Sequence, residues 1–136
     1  MDDTSPARVP NAVPGTVTLS SRYGVERTAA RLAEIIAARG LTLFASIDQA
    51  AAARAAGLAM NDMTLLVFGN PRAGTPAMRE RPLIGLELPL KALVWADDRD
   101  RVWVSYLDAA ELGRRFDVSE ELVRPLAGAA RLFDEL

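Results

Sequence analysis

The sequence predicts an α+β domain with a mainly antiparallel sheet of about five strands and helices packed on one face of that sheet. Three observations support this prediction. Short runs of strand length recur along the chain, and each is either apolar or alternates apolar with polar residues. Two of these runs, Lys91–Trp95 and Arg101–Tyr106, are separated by a polar link too short for a parallel crossover. Segments with apolar residues at every third or fourth position predict helices between and after the strands.

Five segments have the length and the hydrophobic pattern of strands. Thr16–Ser20 alternates polar and apolar side chains, as expected for a strand with one face in water. Met63–Phe68 is apolar throughout, which predicts a central strand covered on both faces. The five predicted strands are Thr16–Ser20, Leu41–Ile47, Met63–Phe68, Lys91–Trp95 and Arg101–Tyr106.

Helical periodicity and capping residues predict four helices. Apolar positions within Val25–Arg39 recur every three or four residues, and Gly40 follows where a left-handed C-terminal cap is favoured. Pro125 is expected to kink or divide the last helix. The predicted helices are Val25–Arg39, Gln49–Ala56 behind the N-cap Asp48 and before Gly57, Asp108–Phe116, and Ser119–Leu136 behind the N-cap Ser119.

The composition excludes several kinds of chemistry. The 136 residues include 16 basic and 18 acidic side chains and neither cysteine nor histidine. Disulfides, thiol nucleophiles, thiolate metal sites and imidazole bases are therefore excluded, and we predict no metal or other cofactor. The near balance of charge, with arginines scattered along the chain, argues against nucleic acid as a partner.

The first fifteen residues differ from the rest in composition. They are polar and rich in proline, so we expect residues 1–15 to be a flexible tail and residues 16–136 to form a single domain. This tail has no apolar segment resembling a secretory signal. No apolar stretch approaches the ~20 residues that cross a bilayer. We expect a cytoplasmic protein without a membrane partner.

The segment from Gly69 to Pro76 is the most distinctive loop in the sequence. Asn70-Pro71 is the pattern of an N-cap followed by proline at the first helical position, and Thr75-Pro76 repeats it. Gly69 and Gly74 permit a positive φ or the close approach of a ligand. This pattern predicts one or two helix starts beside a strand end.

The functional interpretation of this segment is an anion or small-ligand site. A helix start presents backbone N–H groups that attract anions, and arginines at 72 and 79 would add charge-assisted hydrogen bonds. The alternative is a tightly turned connection that only shapes the fold. A P-loop is excluded because the Gly-Lys-Ser/Thr ending is missing. The candidate ligand-binding residues in this segment are Gly69, Asn70, Arg72, Gly74 and Thr75.

Three residues elsewhere complete the candidate set. Lys91, the single lysine of the chain, is a reactive amine if it is buried, or a side chain that extends along the sheet to water. Asp48 is either a general base or the cap of its helix. Ser105 forms a Ser–Lys pair only if the strands bring it to Lys91, and a Ser–His–Asp site is excluded without histidine. We assign no catalytic residue.

Several motifs occur together in a recognisable order. The sequence resembles the bacterial and archaeal family catalogued as domain of unknown function 302, over about Thr16 to Phe133. The resemblance implies a compact α+β fold with a curved antiparallel sheet packed on helices, similar to the TATA-binding-protein-like class, and often a homodimer. The motifs are Ile47-Asp48, Phe68–Pro76, Leu88–Lys91 with Val94-Trp95, and Val102–Tyr106.

The chain departs from the family pattern at two places. Members typically carry histidine after the Ile-Asp pair, where this chain has Gln49. Members also commonly read Ser-Tyr-Asn-Asp-Pro, where this chain has Ser105–Ala109 with leucine and alanine at the third and fifth positions. If the histidine binds a metal or cofactor, this chain lacks that ligand; if it only bonds neighbouring backbone, Gln49 can replace it.

Three functions remain open at this point. The leading hypothesis is a non-enzymatic binding or sensory domain that holds a small, anionic molecule near Gly69–Pro76, Lys91 and Asp48. The second is an enzyme that uses Lys91 and Asp48 on a small carbonyl substrate. The third is a structural protein that acts as a homodimeric partner.

Overall fold

The computed structural model describes residues 8–136, and its elements follow the predicted order. The first seven residues of the expected tail lie outside the described residues. The strands are β1 (Thr16–Ser21), β2 (Thr42–Asp48), β3 (Met63–Gly69), β4 (Leu90–Ala96) and β5 (Val102–Leu107). The helices are α1 (Val25–Ala38), α2 (Gln49–Ala55), α3 (Pro71–Glu80), α4 (Ala109–Phe116) and α5 (Glu120–Ala129), with 3₁₀ helices at Pro82–Leu86 and Ala130–Glu135.

The five strands form one open sheet in the order β1-β5-β4-β3-β2, and every neighbouring pair is antiparallel. This arrangement confirms the predicted α+β fold and the antiparallel pairing of the β4–β5 hairpin. Met63–Phe68 is a central strand, as predicted, since it pairs with β2 on one side and β4 on the other. The prediction that both of its faces are covered is wrong, because Leu66 and Phe68 are buried on one face whereas Leu65 and Val67 on the other are only half-buried. The edges of the sheet are β1 and β2.

The core lies on one face of the sheet. Side chains alternate between the two faces of a strand, so Phe68 and its counterparts on the neighbouring strands point to the same side. Leu32 and Ile36 of α1 pack against them and are almost fully buried. The ring of Phe133, from the last 3₁₀ helix, meets Phe68 edge-on at 6.1 Å. The sheet residues of this core are Leu66, Phe68, Leu90, Ala92, Val94, Val102 and Val104.

Two predictions about helix ends need correction. Thr75-Pro76 does not start a helix, because α3 begins at Pro71 and continues through Pro76 to Glu80. A proline ring is compatible with helical φ, so Pro76 removes one backbone donor without ending the helix here. Likewise α5 runs through Pro125 to Ala129 before the chain tightens into a 3₁₀ helix. Ser119 precedes α5 as predicted, but its side chain makes no capping hydrogen bond.

Positive φ occurs at one of the three glycines for which the sequence allows it. Gly40 has a φ of 70° after α1, as predicted, and Gly57 has 80° after α2. Gly69 and Gly74 are absent from the positive-φ residues of the described chain, since they lie at the end of β3 and inside α3.

The link between β4 and β5 is anchored by Asp97, which is only 9% exposed. The polar run Asp97-Asp98-Arg99-Asp100 predicts a solvated hairpin turn, and for Asp97 this prediction is wrong. Its carboxylate accepts hydrogen bonds from the backbone N–H groups of Arg99 and Arg101, from Arg101 Nε at 2.7 Å and from Trp103 Nε1 at 3.0 Å. Burial alone raises the pKa of Asp97, but the hydrogen bonds from Trp103, Arg101 and Arg99 outweigh it and lower the pKa from 3.8 to about 2.

Asp97→Asn is expected to lower the Tm at neutral pH, because an amide cannot accept all four hydrogen bonds as a carboxylate does. A carboxylate with a lowered pKa stabilises the fold above its unfolded-state pKa and stops doing so as the pH falls towards about 2. The wild-type Tm should therefore fall between about pH 4 and pH 2, and the variant should lose less over that window.

Asp100→Asn is the control for thermal unfolding, because asparagine tolerates the φ of 61° at that position. Equal Tm values and equal pH profiles for the two variants would contradict this role.

Candidate functional site

The Gly69–Pro76 segment borders a cavity of about 200 Å³, which we call the loop pocket. β3 ends at Gly69, α3 begins two residues later, and Leu88 and Pro89 close the opposite side as the chain enters β4. A Cβ at Gly69 would make an ordinary contact with Pro89 Cβ at 3.7 Å, so these two segments lie side by side at the edge of the pocket. The lining residues are Phe44, Gly69, Asn70, Pro71, Ala73, Gly74, Thr75, Met78, Leu88, Pro89, Leu90, Leu126 and Ala129.

The loop pocket is mainly apolar. Met78 and Leu88 approach Gly74, where an added Cβ would lie 3.7 Å from Leu88 Cδ1 and 3.8 Å from Met78 Cε. The polar side chains in the wall are those of Asn70 and Thr75. Ligand pockets combine an apolar lining with a few polar groups in this way. Four predicted candidates, Gly69, Asn70, Gly74 and Thr75, thus share one cavity.

The start of α3 does not present the free backbone donors that we expected. Pro71 has no N–H group, and Asn70 Oδ1 accepts from Arg72 N at 3.0 Å. The N–H groups of Ala73 and Gly74 both donate to the Asn70 carbonyl, at 2.9 and 3.0 Å. The first turn of α3 therefore uses its own donors internally, and an anion here would depend on side chains.

Arg72 lies on the other side of the same helix start. It lines a second hollow, of about 320 Å³, together with Asn70 and Arg39. Arg39 pairs with Glu135 at 2.9 Å, whereas Arg72 forms no ion pair with any described residue. Asn70 and Ala73 belong to both hollows, so one cation lies beside the polar end of the loop pocket.

Asp48 is far from this pocket and has a structural partner. Its carboxylate caps α2 by accepting from Ala51 N at 2.9 Å. In the pairing of β2 with β3, Gly69 faces Thr42 at the start of β2, whereas Asp48 faces Thr64 at the end of β2. The two groups are therefore separated by the length of the strand. Gln49, at the family's histidine position, makes no side-chain hydrogen bond to a described residue.

Lys91 and Ser105 are also engaged elsewhere. Lys91 Nζ lies 3.5 Å from both the carbonyl oxygen and the carboxylate of Glu87. Ser105 Oγ is 2.7 Å from Thr18 Oγ1 and accepts from Trp95 Nε1 at 2.9 Å. The structure therefore forms neither the Ser–Lys pair nor the Lys–Asp pair considered above.

Other titratable groups give no catalytic arrangement. Burial raises the pKa of Tyr106, with smaller effects from the carboxylates of Asp134 and Asp108, and its ring stacks on Phe133 at 4.0 Å. In the part of the chain that the structure describes, no three His, Cys, Asp or Glu residues are placed to hold a metal ion. Nor is any described helix long and apolar enough to span a bilayer.

Sequence reasoning missed the residues that complete the loop pocket. Phe44 of β2, Met78 of α3 and Leu88 of the link before β4 reach the cavity, and their apolar character alone is compatible with a place in the core. The pairing of Leu43 with Phe68 and of Ala45 with Val67 leaves Phe44 as an extra residue in β2. Such a bulge re-aims a side chain, and no sequence signal marks it.

Comparison with known proteins places this geometry in a family. A family model described as "Domain of unknown function DUF302" matches residues 17–134. The crystal structure of an uncharacterized conserved DUF302 protein from Bacillus stearothermophilus superposes with a TM-score of 0.79 at 19% identity, covering 90% of this chain and 98% of that one. At this identity the likeness establishes the fold.

Two curated relatives are longer proteins. One is named fluoride-specific ion channel FluC 1, from Brucella suis biovar 1, and is 40% identical over 101 residues, which is 74% of this chain and 40% of that protein. The other is named fluoride-specific ion channel FluC 2, from Brucella melitensis biotype 1, with 40% identity over 74% of this chain and 37% of that protein. The chain therefore matches only about two fifths of the length of these relatives.

Gly74→Ala is expected to raise the free energy of unfolding by about 0.5–1 kcal/mol, because alanine loses less conformational entropy than glycine in a helix. Its Cβ has room at the pocket wall. Gly128→Ala in α5, where a Cβ meets nothing within 4 Å, should give a similar gain away from the pocket wall. Urea unfolding measures both. A loss of stability in Gly74→Ala alone would show that the wall has no room for the methyl group.

Proposed function

The chain belongs to the family described as Domain of unknown function DUF302, and we propose that it is a cytoplasmic, non-catalytic domain that binds a small molecule in the loop pocket. The observation that carries this proposal is that most of Phe68–Pro76, one of the motifs on which the resemblance to the family rests, lines the cavity. The groups suited to chemistry are used otherwise, since Asp48 caps a helix and Lys91 pairs with Glu87. Binding without reaction is what this arrangement supports best.

The lining indicates the chemistry of the ligand. A cavity of about 150 Å³ holds a benzene molecule, so the loop pocket, at about 200 Å³, accommodates a six-carbon chain or an aromatic ring. The apolar wall favours a chain or ring of this kind. Arg72, which lines the second hollow together with Asn70, favours an anionic group at the polar end of the pocket. The ligand that fits is a small amphipathic anion, such as a carboxylate with an apolar tail.

The Brucella relatives support a sensory role. In those proteins, sequence similar to this chain occupies about two fifths of a protein named as a fluoride channel. The described residues of this chain contain no helix that could span the membrane. A ligand-binding domain joined to a channel has the arrangement of a regulatory module, and we propose that this chain is such a module.

Hexanoate is expected to raise the Tm, because a ligand that binds only the folded state stabilises it by mass action. Acetate, which lacks the apolar body, and hexanol, which lacks the charge, should each give a smaller shift at equal concentration. Gly74→Leu places a side chain in the pocket and should abolish the hexanoate shift. Arg72→Gln should reduce the preference for hexanoate over hexanol. Differential scanning fluorimetry measures all four effects.

Matched variants distinguish pocket binding from general effects. Ala52→Leu adds a leucine at an exposed position of α2 that lines neither hollow, and Arg79→Gln removes an exposed charge from the same helix as Arg72. Both controls should keep the full hexanoate shift. If Gly74→Leu fails to fold, the smaller Gly74→Ala should still weaken binding. No shift with hexanoate or with benzoate at millimolar concentration would refute the proposal.

We also propose that the chain forms a homodimer through the free edge of β2. This strand ends the sheet, and six of its seven residues are exposed, including Phe44 at 50% and Ile47 at 41%. It carries neither lysine nor proline, the residues that usually protect an edge. Antiparallel pairing about its centre keeps Asp48 of one copy at the opposite end of the strand from Asp48 of the other, so no like charges meet.

Ile47→Lys is expected to convert a dimer into a monomer, because it replaces an exposed apolar side chain of the paired edge with a charge. Light scattering after size exclusion should give twice the chain mass of 14.7 kDa for the wild type and the single mass for the variant. Ser20→Lys changes the other edge strand, β1, and should remain dimeric. A monomeric wild type, or a dimer lost only in Ser20→Lys, would rule out pairing through β2.

A further inference from the structure

Three arginines gather around one tyrosine at the start of α1. The guanidinium carbons of Arg22, Arg27 and Arg31 lie 5.5, 4.2 and 5.8 Å from the centre of the Tyr23 ring. We call these four residues the Arg–Tyr cluster. Tyr23 is half-buried, and the three arginines are exposed. The cluster is separate from the loop pocket and contains none of the residues that line it.

Local structure explains why these side chains meet. Arg22 and Tyr23 lie between β1 and α1. Arg27 and Arg31 follow Tyr23 by four and eight residues, and side chains at this spacing line up along one side of a helix. The Tyr23 N–H donates to Ser21 Oγ at 3.2 Å, and the Tyr23 carbonyl accepts from Thr28 Oγ1 at 3.3 Å. The ring is therefore fixed where all three guanidinium groups can reach it.

These positive charges are not neutralised by the described part of the chain. None of the three guanidinium groups forms an ion pair with a described residue. Arg31 donates to the carbonyl oxygen of Glu135 at 3.3 Å, which supplies no net negative charge. Three like charges around one ring repel one another, and exposed cation–π contacts offset this repulsion only partly. The excess positive charge attracts an anion to this surface.

The chemistry of the cluster selects the kind of anion. A guanidinium group that packs against an aromatic ring keeps N–H groups free to donate, and its planar fork matches the oxygens of a phosphate. Several such groups around one point suit an anion with many oxygens better than a halide, which offers one atom. We propose that the Arg–Tyr cluster is a binding site for a phosphate-bearing ligand.

The test uses inorganic pyrophosphate as the probe, with the full chain and with sodium chloride at matched ionic strength as the reference. Isothermal titration calorimetry should detect binding that falls as salt is added. Arg22→Gln and Arg27→Gln should each weaken it by about three-fold or more, since each removes one charged contact. Arg124→Gln, an exposed arginine of α5 without an ion pair to a described residue, should leave it unchanged.

Two further arms complete the test. Tyr23→Leu retains the charges but removes the ring that gathers them, so it should weaken pyrophosphate binding while Arg124→Gln does not. Sedimentation with phosphatidylglycerol vesicles distinguishes a lipid phosphate from a free one, and binding to vesicles should show the same dependence on Arg22 and Arg27. The proposal is overturned if neither probe binds more than the matched salt, or if Arg22→Gln and Arg27→Gln bind both probes as tightly as the wild type.

Discussion

The strand register of the antiparallel sheet is the constraint on which the rest of this structure depends. A register shift of one residue would move every side chain of a strand to the opposite face, so burial of Phe68, Val94 and Val104 on one face fixes the whole sheet. The same register then decides which functional groups meet. Gly69 faces Thr42 at the start of β2, whereas Asp48 lies at the end of β2. The register that packs the core therefore also separates these two candidate residues.

The hydrophobic pattern was sufficient to predict the fold. Strands of alternating or apolar residues, the short β4–β5 link and the glycine after α1 each depend on neighbours in sequence, and the structure confirms them. The errors arose where tertiary contacts outweigh local preference. Pro76 and Pro125 lie inside helices, although proline is disfavoured in a helix interior. Each of those helices buries an apolar side against the core.

The site was only half predictable for a related reason. Glycine, asparagine and proline at the end of β3 mark a turn in sequence, and that turn does line a cavity. The opposite wall comes from Phe44 and Leu88, which are distant in sequence and carry no signal beyond their apolar character. Asp97 shows the same limit, because an aspartate in a polar run looks solvated until the indole of Trp103 is seen to donate to it.

Charge and shape are divided between two regions of this molecule. The loop pocket offers an apolar volume with one cation beside it, whereas the Arg–Tyr cluster offers three exposed cations around one ring. An amphipathic molecule gains from the pocket mainly by removing apolar area from water, and a phosphate gains from the cluster mainly by charge. The two proposed ligands therefore need not compete.

The bulge in β2 connects the two proposed functions of the domain. Phe44 lines the loop pocket and is also exposed on the strand proposed to pair with a second copy. A ligand that contacts Phe44 would restrict the same side chain that the dimer must accommodate. Linkage makes this effect reciprocal. If the ligand changes the affinity of one copy for the other by some factor, dimer formation changes the affinity for the ligand by the same factor. Binding in the pocket would then be read out as a change in assembly, as the proposed sensory role requires.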